Sequence, residues 1–236
     1  ASGKVWVPLN PKSTRPELTR ITDAIGASIL IVEDAYGDLL SDQFATRVVI
    51  GDAGSTSVSL QHLESNQNSA SIPQIALPAD ATQAIKFTGG TTGAPKGVMQ
   101  PYRAWMANIV NQIHAWQIDE TDRYVVAAPI THGTSTYVLP ILGQGGCLVI
   151  IDGAGAEAVS FMPPTLVYML MALPDANRSD FPKLKRLIYG GAPMPPEKIR
   201  EVRAFFGPVL GTTYGQTEAP QILTVMRPED FEDERN

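Results

Sequence analysis

Residues 84–99 read AIKFTGGTTGAPKGVM, an apolar run that passes directly into a segment with four glycines, three threonines and Lys96. The apolar run predicts a buried strand that ends near Thr88. Backbone N–H groups bind phosphate best where no side chain blocks them, and glycines both clear the approach and permit positive φ. Because Thr91 and Thr92 add neutral donors and Lys96 adds a positive charge, the segment is suited to a polyphosphate.

The register of this segment differs from that of the P-loop, G-x-x-x-x-G-K-[ST]. Gly90 is followed by Gly93, and Lys96 stands between Pro95 and Gly97, so we do not expect a P-loop NTPase. An ordinary surface turn needs one or two glycines rather than this density of donors. The predicted phosphate-binding residues are Thr88, Gly90, Thr91, Thr92, Gly93 and Lys96.

Composition excludes several other functions. The 236 residues carry a net charge of -6 with no basic run, which argues against a nucleic-acid surface because phosphate neutralisation needs clustered Lys and Arg.

The single cysteine, Cys147, allows no intramolecular disulfide, and its apolar neighbours predict a buried small side chain. No stretch is long enough for a membrane span and the first residues lack a secretory pattern, so we expect a cytoplasmic protein.

Short β-rich runs alternate with helical patterns, which predicts an α/β fold of layered, largely parallel sheets flanked by helices. The predicted strands are residues 27–34, 46–52, 84–88, 123–129, 146–152 and 185–191. One segment does not fit this scheme, because only GAGAEAV (153–159) separates two apolar runs, whereas a parallel crossover normally needs about a dozen residues. Either the two runs are not parallel neighbours or, as we prefer, a segment is missing near 153–158.

Three helices are predicted from apolar periodicity. Residues 101–116 place Trp105, Ile109, Ile113 and Trp116 on one face. Residues 195–207 open with two prolines and end at a glycine. Residues 163–174 are apolar on nearly every side, which predicts a buried helix with Met169 and Met171 as core residues.

The segment FTGGTTGAPKGV (87–98) resembles the phosphate-loop signature of the adenylate-forming superfamily, the acyl-CoA synthetases and AMP-dependent ligases. That signature is commonly written [YF]-[TS]-[SG]-G-[ST]-T-G-x-P-K-G-[VA]. Phe87 replaces the commoner Tyr and Gly89 the commoner Ser, and neither change removes a phosphate-binding element. The resemblance implies a reaction in which a carboxylate attacks the α-phosphate of ATP, and a thiol such as coenzyme A then accepts the acyl group.

Two further motifs follow in the order that the family implies. YGGAPMP (189–195) resembles the strand end whose backbone borders the adenine, at Gly191, Ala192 and Pro193. By itself this segment predicts only a turn between a strand and a helix.

GTTYGQTEA (211–219) resembles the family motif Y-G-x-T-E. The resemblance implies that Tyr214 lies against the adenine, that Thr217 donates to the α-phosphate and that Glu218 holds Mg²⁺. An aromatic face suits a base, a hydroxyl suits a phosphoryl oxygen and a hard carboxylate suits Mg²⁺. Thr217 and Glu218 are therefore candidate catalytic residues.

PITHGTSTYVLP (129–140) resembles the family segment beside the acyl pocket, so His132 is a candidate for orienting or gating the substrate carboxylate. The alternative is that His132 caps a helix that starts near Ser135. Small residues around Gly133, Thr134 and 190–192 are expected to leave room for an acyl chain or ring.

The resemblance runs through nearly all of residues 1–236, which we interpret as an incomplete N-terminal adenylation domain. A full family member has more sequence before residue 1 and, beyond residue 236, a ribose-binding Asp, a hinge and a small C-terminal domain with a catalytic lysine. We therefore expect a parent ligase that uses ATP, Mg²⁺ and coenzyme A, and an inactive fragment.

The substrate is expected to be a carboxylic acid, with a fatty acid slightly ahead of an aryl acid. Coenzyme A and a carrier-protein thiol both remain open as acceptors. The alternative function is a truncated, non-catalytic nucleotide-binding or interaction module. Nothing in the residues predicts an oligomeric state.

Overall fold

The computed structural model describes residues 3–40, 44–52, 57–66, 75–88, 96–128, 130, 133–150 and 159–232. The chain divides into two compact units, one formed by residues 1–78 and 82–99 and the other by residues 79–81 and 100–236. The fold is α/β with largely parallel sheets flanked by helices, as the sequence predicts.

The first unit contains a three-stranded parallel sheet of order β1-β2-β3. Its elements are α1 (Arg15–Ile25), β1 (Ile29–Glu33), β2 (Thr46–Ile50), β3 (Val58–Ser59) and α2 (Leu60–Ser65). Helix α1 has Pro in its first turn and ends at Gly26, whose φ of 59° is the left-handed conformation that favours glycine. Leu18 of the helix packs with Leu30 of the sheet and with Leu40.

The glycine-rich segment of the first unit lies between β4 (Thr82–Thr88) and β5 (Lys96–Pro101), which form a two-stranded sheet. Trp6 extends the pairing, since its N–H donates to Gln83 O at 3.2 Å and its O accepts from Ile85 N–H at 3.0 Å. The ammonium group of Lys86 lies 5.6 Å from the centroid of the Trp6 ring. Partial burial lowers the pKa of Lys86.

The second unit is built on a six-stranded sheet of order β11-β10-β9-β8-β6-β7. Its strands are parallel except for β11, which pairs antiparallel with β10. The elements are α3 (Tyr102–Trp116), β6 (Arg123–Val126), α4 (Ser135–Gly143), β7 (Cys147–Ile150), β8 (Val159–Met162), α5 (Pro164–Met171), β9 (Arg186–Tyr189), α6 (Pro196–Phe206), β10 (Leu210–Tyr214) and β11 (Thr224–Met226).

Helices cover both faces of this sheet. Successive residues of one strand point to opposite faces and therefore enter different cores. Ile188 packs with Tyr137 of α4, whereas its neighbour Leu187 packs with Val202 of α6. On the α4 face, Tyr137 stacks on Tyr124 and on Phe161 with ring centroids 5.4 Å apart in each pair. Burial raises the pKa of both tyrosines.

A buried carboxylate ties the beginning of two parallel strands together. Asp122, just before β6, accepts from Lys185 Nζ at 3.0 Å, and Lys185 stands just before β9. The Asp122 side chain is almost fully buried, while that of Lys185 keeps much of its solvent contact. The Asp119 N–H also donates to the carboxylate, at 3.1 Å, so the buried charge is both paired and hydrogen-bonded.

All six predicted strands and the three predicted helices are present. Trp105 and Trp116 of α3 are buried as predicted, but the rest of the buried face of this helix differs from the prediction. In α3 the buried residues include Asn108 and Gln112, whereas Ile109 and Ile113 are only half-buried. Gln112 reaches a neighbouring backbone, since its Nε2 donates to Thr136 O of α4 at 3.2 Å.

Two predictions of core residues were wrong. Met169 of α5 is 64% exposed, because the residues of this helix that are buried are Pro164 and Val167, on one side only. Cys147 is also exposed. It lies on β7, an edge strand of the six-stranded sheet. In an edge strand, apolar neighbours in the sequence do not by themselves mean that a residue is buried.

The short connection between β7 and β8 spans residues that lie outside the described ones. Both strands pair in parallel with β6, β7 on one side and β8 on the other. They are therefore not neighbours in the sheet, which was one of the two alternatives that the sequence left open. A missing segment near 153–158 stays a prediction.

Within the described ranges, no helix is sufficiently long and apolar to cross a membrane.

Candidate functional site

The candidate site of the second unit lies where β9 and β10 end. The strands are parallel neighbours with Tyr189 opposite Thr212, and Thr212 Oγ1 donates to Tyr189 O at 3.1 Å. A Cβ added at Gly190 would lie only 2.9 Å from Thr213 O. The predicted YGGAPMP and YGQTE segments therefore leave the sheet side by side, at the edge where open α/β sheets commonly bind ligands.

The segment after β9 presents small residues to solvent. Gly191 has a φ of +81° and open space around its Cβ position. Gly191, Ala192 and Pro193 are all exposed, while Met194 is buried against the core that includes Val202 and thereby anchors the turn. The chain then enters α6 through Pro195 at the N-cap. A flat ring could approach this backbone without meeting a large side chain.

Tyr214 is the last residue of β10, and the residue is 53% exposed. Gln216 Nε2 donates to the Tyr214 hydroxyl at 2.5 Å, which orients the ring. The backbone is held as well, because the Leu223 N–H donates to Tyr214 O at 2.8 Å. An exposed, oriented aromatic ring is the group that a base can stack against.

Gly215 is a position where the fold leaves no room for a side chain. A Cβ added there would meet Gln221 Cγ at 2.8 Å and Gln221 Cα at 2.9 Å. The loop closes on itself through the Gln216 N–H, which donates to Ala219 O at 3.1 Å. The glycine of the Y-G-x-T-E motif is thus required by close packing inside the loop.

Thr217 and Glu218 follow in the same loop, with Thr217 half-buried and Glu218 exposed. Thr217 O accepts a 2.6 Å hydrogen bond from Gln100 Nε2. Gln100 Oε1 in turn accepts from Trp105 Nε1 at 3.1 Å. The sequence did not predict these contacts, since a lone glutamine ahead of a helix carries no motif, and its partner stands 117 positions away.

The donor set around Glu218 fits one kind of metal site. Among the described residues there is no group of three or more His, Cys, Asp or Glu side chains that could hold a metal ion. Mg²⁺ in nucleotide enzymes needs no such cage, because it is bound through one or two carboxylates together with phosphate oxygens and water. Glu218 is one exposed carboxylate, which is the protein's minimum share of such a site.

The glycine-rich segment belongs to the first unit. Thr88 is the last residue of β4, and Lys96 is the exposed first residue of β5. A Cβ at Gly97 would meet Ile85 Cγ2 and Phe87 Cζ, each at 3.0 Å, so this glycine permits the close approach of the two strands. The predicted site residues that lie outside the described ones are Gly90, Thr91, Thr92, Gly93 and His132.

The small residues expected to line an acyl pocket have an aromatic neighbour. Cβ atoms added at Gly133 and Gly190 would each meet the ring of Phe161 at 2.9 Å. The Cβ direction of each of these two glycines is thus occupied by a buried side chain of β8, whereas that of Gly191 is open. The acyl pocket itself stays a prediction. The helix predicted from Ser135 does begin at that residue.

Comparison with known proteins covers the whole chain. A family profile described as AMP-binding enzyme matches residues 1–236. A medium/long-chain fatty-acid–CoA ligase, FadD8 of Mycobacterium tuberculosis, is 27% identical over 67% of this chain and 30% of the relative. A feruloyl-CoA synthase of an Amycolatopsis species is 30% identical over 96% of this chain and 47% of the relative.

A solved structure of the anthranilate–CoA ligase AuaEII, in complex with anthranoyl-AMP, has the same fold. It superposes with a TM-score of 0.87 at 19% identity, over 96% of this chain and 48% of that one. The chain spans about half the length, or less, of each of these three proteins. Because the family profile matches from the first residue to the last, the chain belongs to the AMP-binding enzyme family.

Proposed function

We propose that this chain is the nucleotide-binding part of a ligase that activates a carboxylic acid with ATP and transfers the acyl group to coenzyme A. The observation that carries the proposal is the side-by-side exit of the 190–193 and 214–218 segments from two adjacent parallel strands. These segments match two family motifs and bring small, aromatic, hydroxyl and carboxylate groups to one edge of the sheet.

Each group has a role that its chemistry supports. The exposed Tyr214 ring stacks on the adenine, and the exposed backbone of 191–193 borders it. The Thr217 hydroxyl donates to the α-phosphate, and the Glu218 carboxylate holds Mg²⁺ on the nucleotide. The resemblance of the glycine-rich segment to the family signature assigns Thr88 and Lys96 to the phosphates, as a hydroxyl and a cation. His132 orients the substrate carboxylate.

The proposed step brings a carboxylate towards a triphosphate, so two anions must approach each other. The carboxylate oxygen attacks the α-phosphorus, and pyrophosphate leaves. The thiol sulfur, after losing its proton, then attacks the carbonyl carbon of the acyl adenylate; the thioester bond forms as the bond to the AMP oxygen breaks and AMP leaves. Mg²⁺, when bound, neutralises charge that develops on the phosphate oxygens. Fixed hydrogen-bond donors such as Thr217 do the same without reorganisation, which is where most of the rate enhancement is expected to arise.

The acid is proposed as a fatty acid or an aryl acid. The names of the two reported relatives supply one class each, a medium- or long-chain fatty acid and ferulate. Both names also contain coenzyme A, which supports it as the acceptor. A panel of acids from both classes, assayed by pyrophosphate release with the full-length protein, tests this level of the proposal.

The nucleotide site is tested by calorimetric titration of residues 1–236 with ATP at several Mg²⁺ concentrations. We expect Tyr214→Ala to weaken binding about 10-fold, as expected for the loss of one stacked ring. Glu218→Gln should raise the Mg²⁺ concentration needed for binding. The matched control is Glu120→Gln, which removes the same charge just before β6, at the opposite edge of the same sheet.

Equal Mg²⁺ dependence in the Glu218→Gln and Glu120→Gln variants would remove Glu218 from the site. Lys96→Ala should weaken ATP binding more than AMP binding, because a lysine in a polyphosphate site loses more attraction to a triphosphate than to a single phosphate. Nucleotide binding without pyrophosphate release for any acid in the full-length protein would favour a non-catalytic nucleotide-binding module.

A further inference from the structure

Gln100 is a buried polar residue that neither the motifs nor the proposed chemistry uses. Gln100 is 1% exposed, and both the oxygen and the nitrogen of its side-chain amide are hydrogen-bonded. Nε2 donates to the backbone oxygen of Thr217 at 2.6 Å, and Oε1 accepts from Trp105 Nε1 at 3.1 Å. Trp105, 3% exposed, lies in the first turn of α3.

The partners determine which way the amide points. An indole N–H can only donate, so the oxygen of the Gln100 amide must face Trp105. The NH₂ group then faces Thr217 O, which can only accept. The tryptophan thus selects the orientation in which Gln100 holds the loop, and burial makes the loss of either bond costly.

The bond reaches the loop at one functional position. Thr217 supplies the hydroxyl that the proposed function assigns to the α-phosphate, and Glu218 follows directly. A hydrogen bond to the backbone oxygen of Thr217 fixes the peptide from which the side chain projects, and so limits the positions that its hydroxyl can reach. A hydrogen-bond donor stabilises a reacting phosphate only if it lies within a few tenths of an ångström of its optimal position, so such a restriction affects both binding and rate.

We propose that Gln100, held by Trp105, is a positioning residue that fixes the backbone of Thr217 and thereby the place from which its hydroxyl reaches the nucleotide. This inference rests on the proposed function. Gln100 touches the loop backbone and acts on the nucleotide through Thr217.

The test is a double-mutant cycle measured as the Kd for Mg·ATP of residues 1–236. Gln100→Met keeps the length and apolar packing of the side chain but removes both hydrogen bonds. Thr217→Val removes the hydroxyl and keeps the shape. We expect each single variant to weaken binding about 10-fold, and the double variant to be within about 2-fold of Thr217→Val alone, because coupled positions are not additive.

Gln112→Met is the matched control. Gln112 is also a buried glutamine of this unit that donates to a backbone oxygen, that of Thr136 in α4. Its replacement should lower the unfolding midpoint as Gln100→Met does, while the Kd for Mg·ATP stays within about 2-fold of wild type. If Gln100→Met does not fold, Gln100→Asn replaces it in the cycle, since the shorter side chain cannot reach Thr217.

A spectroscopic readout separates positioning from packing. The protein has three tryptophans and can be labelled with ¹⁵N-tryptophan. The indole resonance of Trp105 is then the one that is absent from the spectrum of Trp105→Phe. We expect this resonance to shift when Mg·ATP saturates the wild type, because the loop and the indole share Gln100. The same addition should leave it unshifted in Gln100→Met.

The outcomes are distinct. Additive losses, about 100-fold in the double variant, would show that Gln100 acts elsewhere than through Thr217 and overturn the inference. An unchanged Kd in Gln100→Met would overturn it as well. A wild-type chain that binds no Mg·ATP would remove the proposed nucleotide site itself, and the positioning role with it.

Discussion

Replacing Gly215 by alanine should disrupt the loop that carries Thr217 and Glu218. The structure gives the reason, because the added Cβ would lie 2.8 Å from Gln221 Cγ and 2.9 Å from both Gln221 Cα and Gln221 N. Two of these atoms are backbone, so no rotamer change of Gln221 can relieve the overlap. The loop must move.

The size of the effect follows from these distances. Carbon atoms in ordinary contact are about 3.5 Å apart or more, so the backbone around Gly215 or Gln221 must shift by about 0.6 Å. Overpacking of this kind costs about 1 to 3 kcal/mol in unfolding free energy. Displacement of the loop by the same distance should also weaken Mg·ATP binding, by about 10-fold or more, because Thr217 and Glu218 move with it.

Two measurements on the same variant check this prediction, urea unfolding and calorimetric titration with Mg·ATP. Gly143→Ala is the control. Gly143 is the last residue of α4, and a Cβ added there would meet nothing within 4 Å. Alanine at that position should leave nucleotide binding unchanged and keep or raise the unfolding midpoint, since alanine is the better helix former.

A Gly215→Ala variant with the wild-type unfolding midpoint and the wild-type Kd would refute the close packing in the loop. A variant with lowered stability but unchanged Kd would keep the packing and show that the loop does not hold the nucleotide. The two results therefore separate the structural reasoning from the functional proposal.

Three further predictions concern the second unit. Burial raises the pKa of Tyr137, so its hydroxyl ionises in the unfolded chain before it does in the folded one as the pH rises above about 10. The unfolding free energy, followed by urea midpoints, should therefore fall from pH 9 to 11. The fall should be less steep in Tyr137→Phe. Asp122→Asn should cost about 1 to 3 kcal/mol of stability, because it removes the buried partner of Lys185, and the loss should shrink in a Lys185→Met background. Val167→Ala should lower the thermal midpoint by the equivalent of about 1 to 3 kcal/mol, whereas Met169→Ala, an exposed position on the same helix, should change it by about 0.5 kcal/mol or less.

Much of the fold follows from local patterns. Apolar runs such as 123–129 and 185–191 predict β6 and β9, and the prolines and glycine around 195–207 predict α6. Local patterns were weaker for strands with few apolar residues. β5 lies at the end of the glycine-rich segment and β10 reads LGTTY, and neither was predicted, because their strand character depends on pairing with neighbours that are distant in sequence.

The buried face of α3 was predicted less well than the helix itself. In α3 the apolar periodicity favours Ile109 and Ile113, yet the buried stripe contains Asn108 and Gln112. Polar residues are buried there because the fold supplies partners for them, as Thr136 O does for Gln112. Apolar periodicity depends only on the hydrophobicity of each residue, so it cannot predict which polar residues find hydrogen-bond partners in the folded protein.

The amino-acid sequence by itself determined the chemical groups of the candidate site and their order along the chain. The glycines, Tyr214, Thr217 and Glu218 were identified because the short segments that contain them resemble motifs of the family, and their assignment to phosphate, base and Mg²⁺ is a proposal. The tertiary structure alone decided that β9 and β10 are neighbours, that Gly215 packs against Gln221 and that Gln100 holds Thr217. These contacts join residues that the whole fold must bring together, and no local pattern of side chains encodes a hydrogen bond across 117 positions.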